Sequence, residues 1–226
     1  MSLVTVSHLS KKFRTHNAVD DLSFSVEEGD VYGFLGQNGA GKSTTIRMLL
    51  TLVKPTTGSI EIFGLDLNKE RNKILRQVGA VIEKPDLYKY LTAYENLSLF
   101  ARMSGSAKSK KELQAQLEMV GLSGRENDPV KTYSQGMKQR LGIAIALVHN
   151  PRLVVCDEPT SSLDHETGRH VMETLRDVAA GPDRALVVVT HDSRIFEFAD
   201  RIAVMDDGRI VRVESPPRAS APRKSA

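Results

Sequence analysis

The chain has 226 residues, 40% of them apolar and 26% charged, with 31 Lys and Arg against 28 Asp and Glu. A chain of this kind buries a full core in one large domain and is excluded from the disordered, single-sign polymers. The net charge of +3 is weak support for nucleic-acid binding, because four basic residues (Arg212, Arg218, Arg223 and Lys224) crowd the C-terminal stretch, and a single cysteine, Cys156, excludes an internal disulfide.

Period-two alternation at residues 3–6 and 22–26 predicts half-exposed antiparallel strands, and it returns at 59–63 after the turn at 55–58. Val31–Leu35, Val78–Ile82, 153–156 and Ala185–Thr190 are instead short unbroken apolar runs, the pattern of parallel strands covered on both faces. Helical spacing at Ile46, Leu49, Leu50 and Val53, and again at Val171, Leu175 and Val178, follows strands in βαβ fashion. Between 84 and 148 the strand signal vanishes. Leu97, Phe100, Ala101, Leu113, Leu117 and Val120 there predict helices, so this stretch reads as a helical subdomain inserted between core segments 1–83 and 149–214. Residues 201–205 and 209–213 flank Asp207-Gly208, a hairpin signal, and 215–226 reads as a disordered tail. No charged-then-apolar leader opens the chain and no apolar run approaches the roughly 20 residues of a membrane span. The expected setting is the reducing cytoplasm, with any membrane reached through a partner.

Gly36-Gln37-Asn38-Gly39-Ala40-Gly41-Lys42-Ser43 matches G-x-x-x-x-G-K-[ST] between a strand and a helix, where backbone N–H groups and a helix N-terminus can cradle phosphates. Lys42 is expected to reach the β- and γ-phosphates, and Ser43 to ligate Mg²⁺. The expected fold class is therefore α/β: a P-loop NTPase (RecA-like) core with an N-terminal antiparallel β region and an inserted helical subdomain. At the end of the 153–156 run stand Asp157, suited to Mg²⁺, and Glu158, suited to polarising an attacking water. His191 closes another buried strand on the same edge. Ser134 and Gly136 open an apolar helix and read as a second anion site, over ninety residues from the first.

This ordered set resembles the nucleotide-binding subunit of ABC transporters over roughly residues 2–213. The resemblance implies a head-to-tail homodimer that sandwiches two ATP molecules, each between one subunit's phosphate loop, including Thr44, and the other's Ser134, Gln135 and Gly136. It implies adenine stacking on Phe13 beside Val19, and a dimer-crossing segment with Ser162 and Asp164. It puts Glu83, where a glutamine is more usual, as sensor of Mg²⁺ and attacking water. It implies a membrane permease as partner, a peripheral place on the inner face of the membrane, and no nucleic acid. Residues 81–85 and 133–140 are similar to the bacitracin and lantibiotic self-resistance branch of drug exporters. From Cys156 onward, including 190–196 and 199–201, the chain is more similar to the macrolide-exporter and lipoprotein-release branch. Composition shifts at the same place: residues 1–154 hold 13 Lys, 8 Arg and all seven Asn, and 155–226 hold 1 Lys, 9 Arg and no Asn. Two lineages meeting near 154–157 would leave that strand poorly packed; a single gene of uneven composition is the alternative. The function expected is ATP-driven export of a drug, peptide or lipid-like cargo. An inactive or regulatory nucleotide-binding module and a non-transport ABC ATPase remain alternatives.

Overall fold

The computed structural model describes residues 1–216 except 83, 84, 162, 180, 182 and 193–196, with the side chains of 178 and 179 also left aside. The places expected for Glu83 and Ser162 therefore lie outside the described residues, as does nearly all of the expected tail.

Two sheets form the frame. A four-stranded antiparallel sheet has the order β2-β1-β4-β5, from β1 (Ser2–Phe13), β2 (His16–Glu27), β4 (Thr57–Ile62) and β5 (Leu65–Asp66). A six-stranded sheet has the order β10-β9-β3-β8-β7-β6, from β3 (Val31–Leu35), β6 (Val78–Ile82), β7 (Leu153–Asp157), β8 (Ala185–Thr190), β9 (Arg201–Asp206) and β10 (Arg209–Glu214). All its pairings are parallel except the β9–β10 hairpin. The helices are α1 (Lys42–Leu49), α2 (Arg71–Leu75), α3 (Ala93–Met103), α4 (Lys110–Met119), α5 (Gln135–Leu147) and α6 (His165–Ala179).

The unbroken apolar runs have a direct cause. Along β7, Leu153 and Val155 enter a core shared with α1 and the antiparallel sheet, while Val154 and Cys156 enter a core shared with α3 to α6. A strand covered on both faces needs apolar residues at every position. Val154 and Val155 are 2% and 0% exposed and lie in register with both neighbouring strands.

The parallel register also places the site. Leu35 pairs with Thr190, Val189 with Asp157, and Asp157 with Ile82, so the loops leaving β3, β6, β7 and β8 all depart from one edge.

Two local expectations need correction. The helix expected to carry Val53 stops at Leu49: Thr51 turns to φ +59° and the Leu52 amide bonds back to the Arg47 carbonyl oxygen, a left-handed C-terminal cap. Strands β1 and β2 run well beyond their alternating segments, because bulges with positive φ at His8 and Asp21 shift the register and break the alternation. The helical subdomain holds α3, α4, a 3₁₀ turn at Val130–Thr132 and α5, as the loss of strand signal predicts.

Candidate nucleotide site

The phosphate loop is shaped by packing beneath it. Gly41 has φ +94°, and a Cβ there would run into the Ala18 carbonyl oxygen and press on Val19. Only glycine satisfies both demands. Val19 itself is fully buried beneath Gly41 and Gly208, against the loop. Gln37, Asn38 and Gly39 are exposed, Ala40 and Gly41 are buried, and Ser43 and Thr44 are half-buried at the N-terminus of α1.

Lys42 is only 5% exposed, and its Nζ donates to the carbonyl oxygens of Gly36 at 2.6 Å and Gln37 at 2.9 Å. Burial pulls its ammonium below the usual lysine value, and the charges of Glu158 and Asp157 act against that pull. Ser43 Oγ donates to Asp157 Oδ1 at 3.2 Å, joining the loop to the end of β7.

Glu158 follows at φ +51°, a left-handed backbone that is uncommon outside glycine. Its N–H donates to the Val189 carbonyl oxygen at 2.8 Å, drawing it against β8. Its carboxylate accepts from Thr190 Oγ1 at 3.2 Å, from the His191 N–H at 3.0 Å and from His191 Nδ1 at 2.8 Å. An ionised carboxylate only accepts, so Nδ1 is the donor. Thr190 also accepts from the Asp192 N–H at 3.0 Å. Sequence reasoning gave Thr190 no role, because a threonine ending a β-branched strand carries no signal of its own.

Phe13 ends β1, half exposed, with Lys11 Nζ 4.8 Å from its ring centroid. Ser134 caps α5, its Oγ accepting from the Met137 N–H at 3.2 Å, with Gln135 exposed and Gly136 half-buried beside it. Among the described residues no hydrogen bond joins these three to the phosphate loop. Asp164 caps α6 by accepting from the Thr167 N–H at 2.9 Å, and this bond holds its carboxyl below the usual range.

The Ser43–Asp157 pair and the His191-held Glu158 stand at one sheet edge, and the sequence model of the family described as ABC transporter matches residues 19–161. The chain belongs to that family. It is an ATP-binding cassette of the P-loop class, an ABC ATPase. It is 40% identical over 215 residues to the uncharacterized ABC transporter ATP-binding protein YhcH of Bacillus subtilis (strain 168), covering 95% of this chain and 70% of that one. It is 41% identical over 211 residues to the bacitracin transport ATP-binding protein BcrA of Bacillus licheniformis, covering 93% and 69%. The methionine import ATP-binding protein MetN of Geobacillus kaustophilus is 36% identical over 220 residues, covering 92% and 64%. Among solved structures, a dimeric post-hydrolysis state of the ATP-binding cassette MJ0796 bound to ADP and Pi matches at a TM-score of 0.85 and 30% identity, covering 95% of this chain and 99% of that one.

Hard-oxygen donors at Ser43 and Asp157 suit Mg²⁺. No cluster of three or more His, Cys, Asp or Glu able to hold a metal occurs among the described residues. Among the same residues no helix is long and apolar enough to cross a membrane.

Proposed function

We propose that this cassette powers a membrane exporter, closing as a head-to-tail homodimer over two ATP molecules while docked on a permease at the inner face of the membrane. The observation that carries the reading is the Glu158 carboxylate, held by Thr190 and His191 beside the Ser43–Asp157 pair. ATP would lay its phosphates on the loop amides and Lys42, with adenine against Phe13. Ser43 and Asp157 would hold Mg²⁺, which when bound neutralises charge on the β- and γ-phosphates. Glu158 would accept a proton from the attacking water as the γ-phosphoryl group transfers in line. His191, anchored through Nδ1, would aim Nε2 at the γ-phosphate. Glu83 is assigned to the same water and ion by its place in the sequence alone.

Gly136 supports the composite site. A Cβ there would meet Leu163, Thr167 and Ser134 only at ordinary contact distances, 3.4–3.9 Å, so packing within one chain does not demand glycine. Close approach of a second subunit's nucleotide would. Gly136→Ala is therefore expected to keep the melting temperature and ATP affinity of the parent while weakening ATP-dependent dimerisation, measured by analytical ultracentrifugation in a Glu158→Gln background. Unchanged dimerisation would contradict the sandwich.

Relatives named for bacitracin transport and linearmycin resistance favour export of a peptide or lipid-like drug. The methionine import relative favours the opposite direction. With the permease that co-purifies, reconstituted in vesicles energised from outside, labelled bacitracin is expected to accumulate inside. Hydrolysis without accumulation would overturn peptide export.

A further inference from the structure

Residues 85–92, which lead into α3, are bound to the helical subdomain. Asn96, one turn into α3, is 0% exposed. Its Oδ1 accepts from the Tyr88 N–H at 2.9 Å, and its Nδ2 donates to the carbonyl oxygens of Tyr88 at 3.0 Å, Thr92 at 2.9 Å and Leu91 at 3.4 Å. A buried amide whose donors and acceptor are all engaged by backbone fixes that backbone in one arrangement. The same loop is bonded to the segment that leads to Ser134: the Lys131 N–H donates to the Lys89 carbonyl oxygen at 2.8 Å, and the Val130 N–H to that of Leu91 at 2.9 Å. At the loop's start, Gly142 of α5 opens a notch for Pro85. A Cβ at 142 would lie 2.7 Å from Pro85 Cβ and 2.8 Å from Cγ, closer than carbon atoms pack.

We propose that Asn96 and Gly142 are positioning residues for ATP hydrolysis. They weld residues 85–91 to α3 and α5, so a movement of the helical subdomain reaches Pro85, two positions after Glu83, without being lost in the loop. Through Val130 and Lys131 the same unit includes the chain that sets the Ser134 cap. One body thus carries both the approach to position 83 and the signature residues offered to a partner. The inference rests on the ATPase reading above and adds which side chains make the unit rigid.

The test uses the full chain, with four readouts: kcat for ATP with Mg²⁺, Kd for ATP, melting temperature, and amide exchange of 85–92. Asn96→Ala is expected to speed Tyr88 amide exchange by about 100-fold and to lower kcat about tenfold, with Kd for ATP within about twofold. Asn96→Asp keeps the acceptor for the Tyr88 N–H and should fall between the two. Gly142→Ala should lower kcat about threefold, and adding Pro85→Ala should recover most of that loss by clearing the notch. Two results would overturn the proposal: faster Tyr88 exchange with kcat unchanged in Asn96→Ala, or kcat, ATP affinity and melting temperature falling together with no recovery in the Pro85→Ala, Gly142→Ala pair. If the wild-type chain hydrolyses no ATP, the function reading fails. Amide exchange then decides the weld: unchanged Tyr88 protection in Asn96→Ala overturns it, and accelerated exchange upholds it.

Discussion

Glu158 sits at φ +51°, a backbone that costs a non-glycine residue about 1–2 kcal/mol, and three donors hold its carboxylate. The donor supplied by Thr190 is separable from the rest. Thr190→Val keeps the shape of the buried side chain and removes the hydroxyl that serves both Glu158 and Asp192. Steady-state kinetics should show kcat lower by about tenfold and KM for ATP little changed, the pattern of a lost transition-state interaction. Cys156 behaves oppositely to a catalytic group. Burial pushes its thiol up to about 12, so a thiol reagent at pH 8 should label the chain only after unfolding; rapid labelling of the folded protein would contradict the packing of β7. The phosphate loop, Asp157, Glu158 and His191 were legible in sequence because each chemistry demands a residue type at a fixed place on a strand end. Asn96 and Thr190 were not, because their partners are backbone groups or a neighbour brought by the fold.

At the scale of elements, β3, β6, β7 and β8 could be read because their runs are unbroken by polar residues until the ends of β7 and β8, where Asp157 and Thr190 stand. Helix α2 could not: it is five residues long and buries only Ile74, too little for a period to show. The start of α3 has an unused signal in Thr92 and Glu95, which bond reciprocally, Glu95 N–H to Thr92 Oγ1 at 3.1 Å and Thr92 N–H to Glu95 Oε2 at 2.7 Å. Thr92→Ala should lower unfolding free energy in urea by about 1 kcal/mol. An unchanged midpoint would mean that the bonds from Asn96 to the neighbouring carbonyls, not the cap, hold this turn.

Over the whole molecule, two cores meet across one sheet, and buried ionisable groups link that packing to pH. Burial raises Tyr32 and Tyr133 from 10.0 to about 12, as it does Cys156 from 9.0 to about 12. The folded chain keeps these protons after the unfolded chain has begun to lose them. Stability is therefore full below about pH 9 and falls as pH rises toward 12, since there the unfolded state binds fewer protons. Melting temperatures from pH 8 to 11 should decline, and Tyr32→Phe should flatten the decline. The account as a whole turns on Glu158 acting as the base at a phosphate loop that binds without it. The most direct measurement is ATP hydrolysis by wild type and Glu158→Gln, with ATP affinity measured in parallel. The expected result is a fall in kcat of about 100-fold or more with Kd for ATP preserved; equal rates in the two proteins would contradict it.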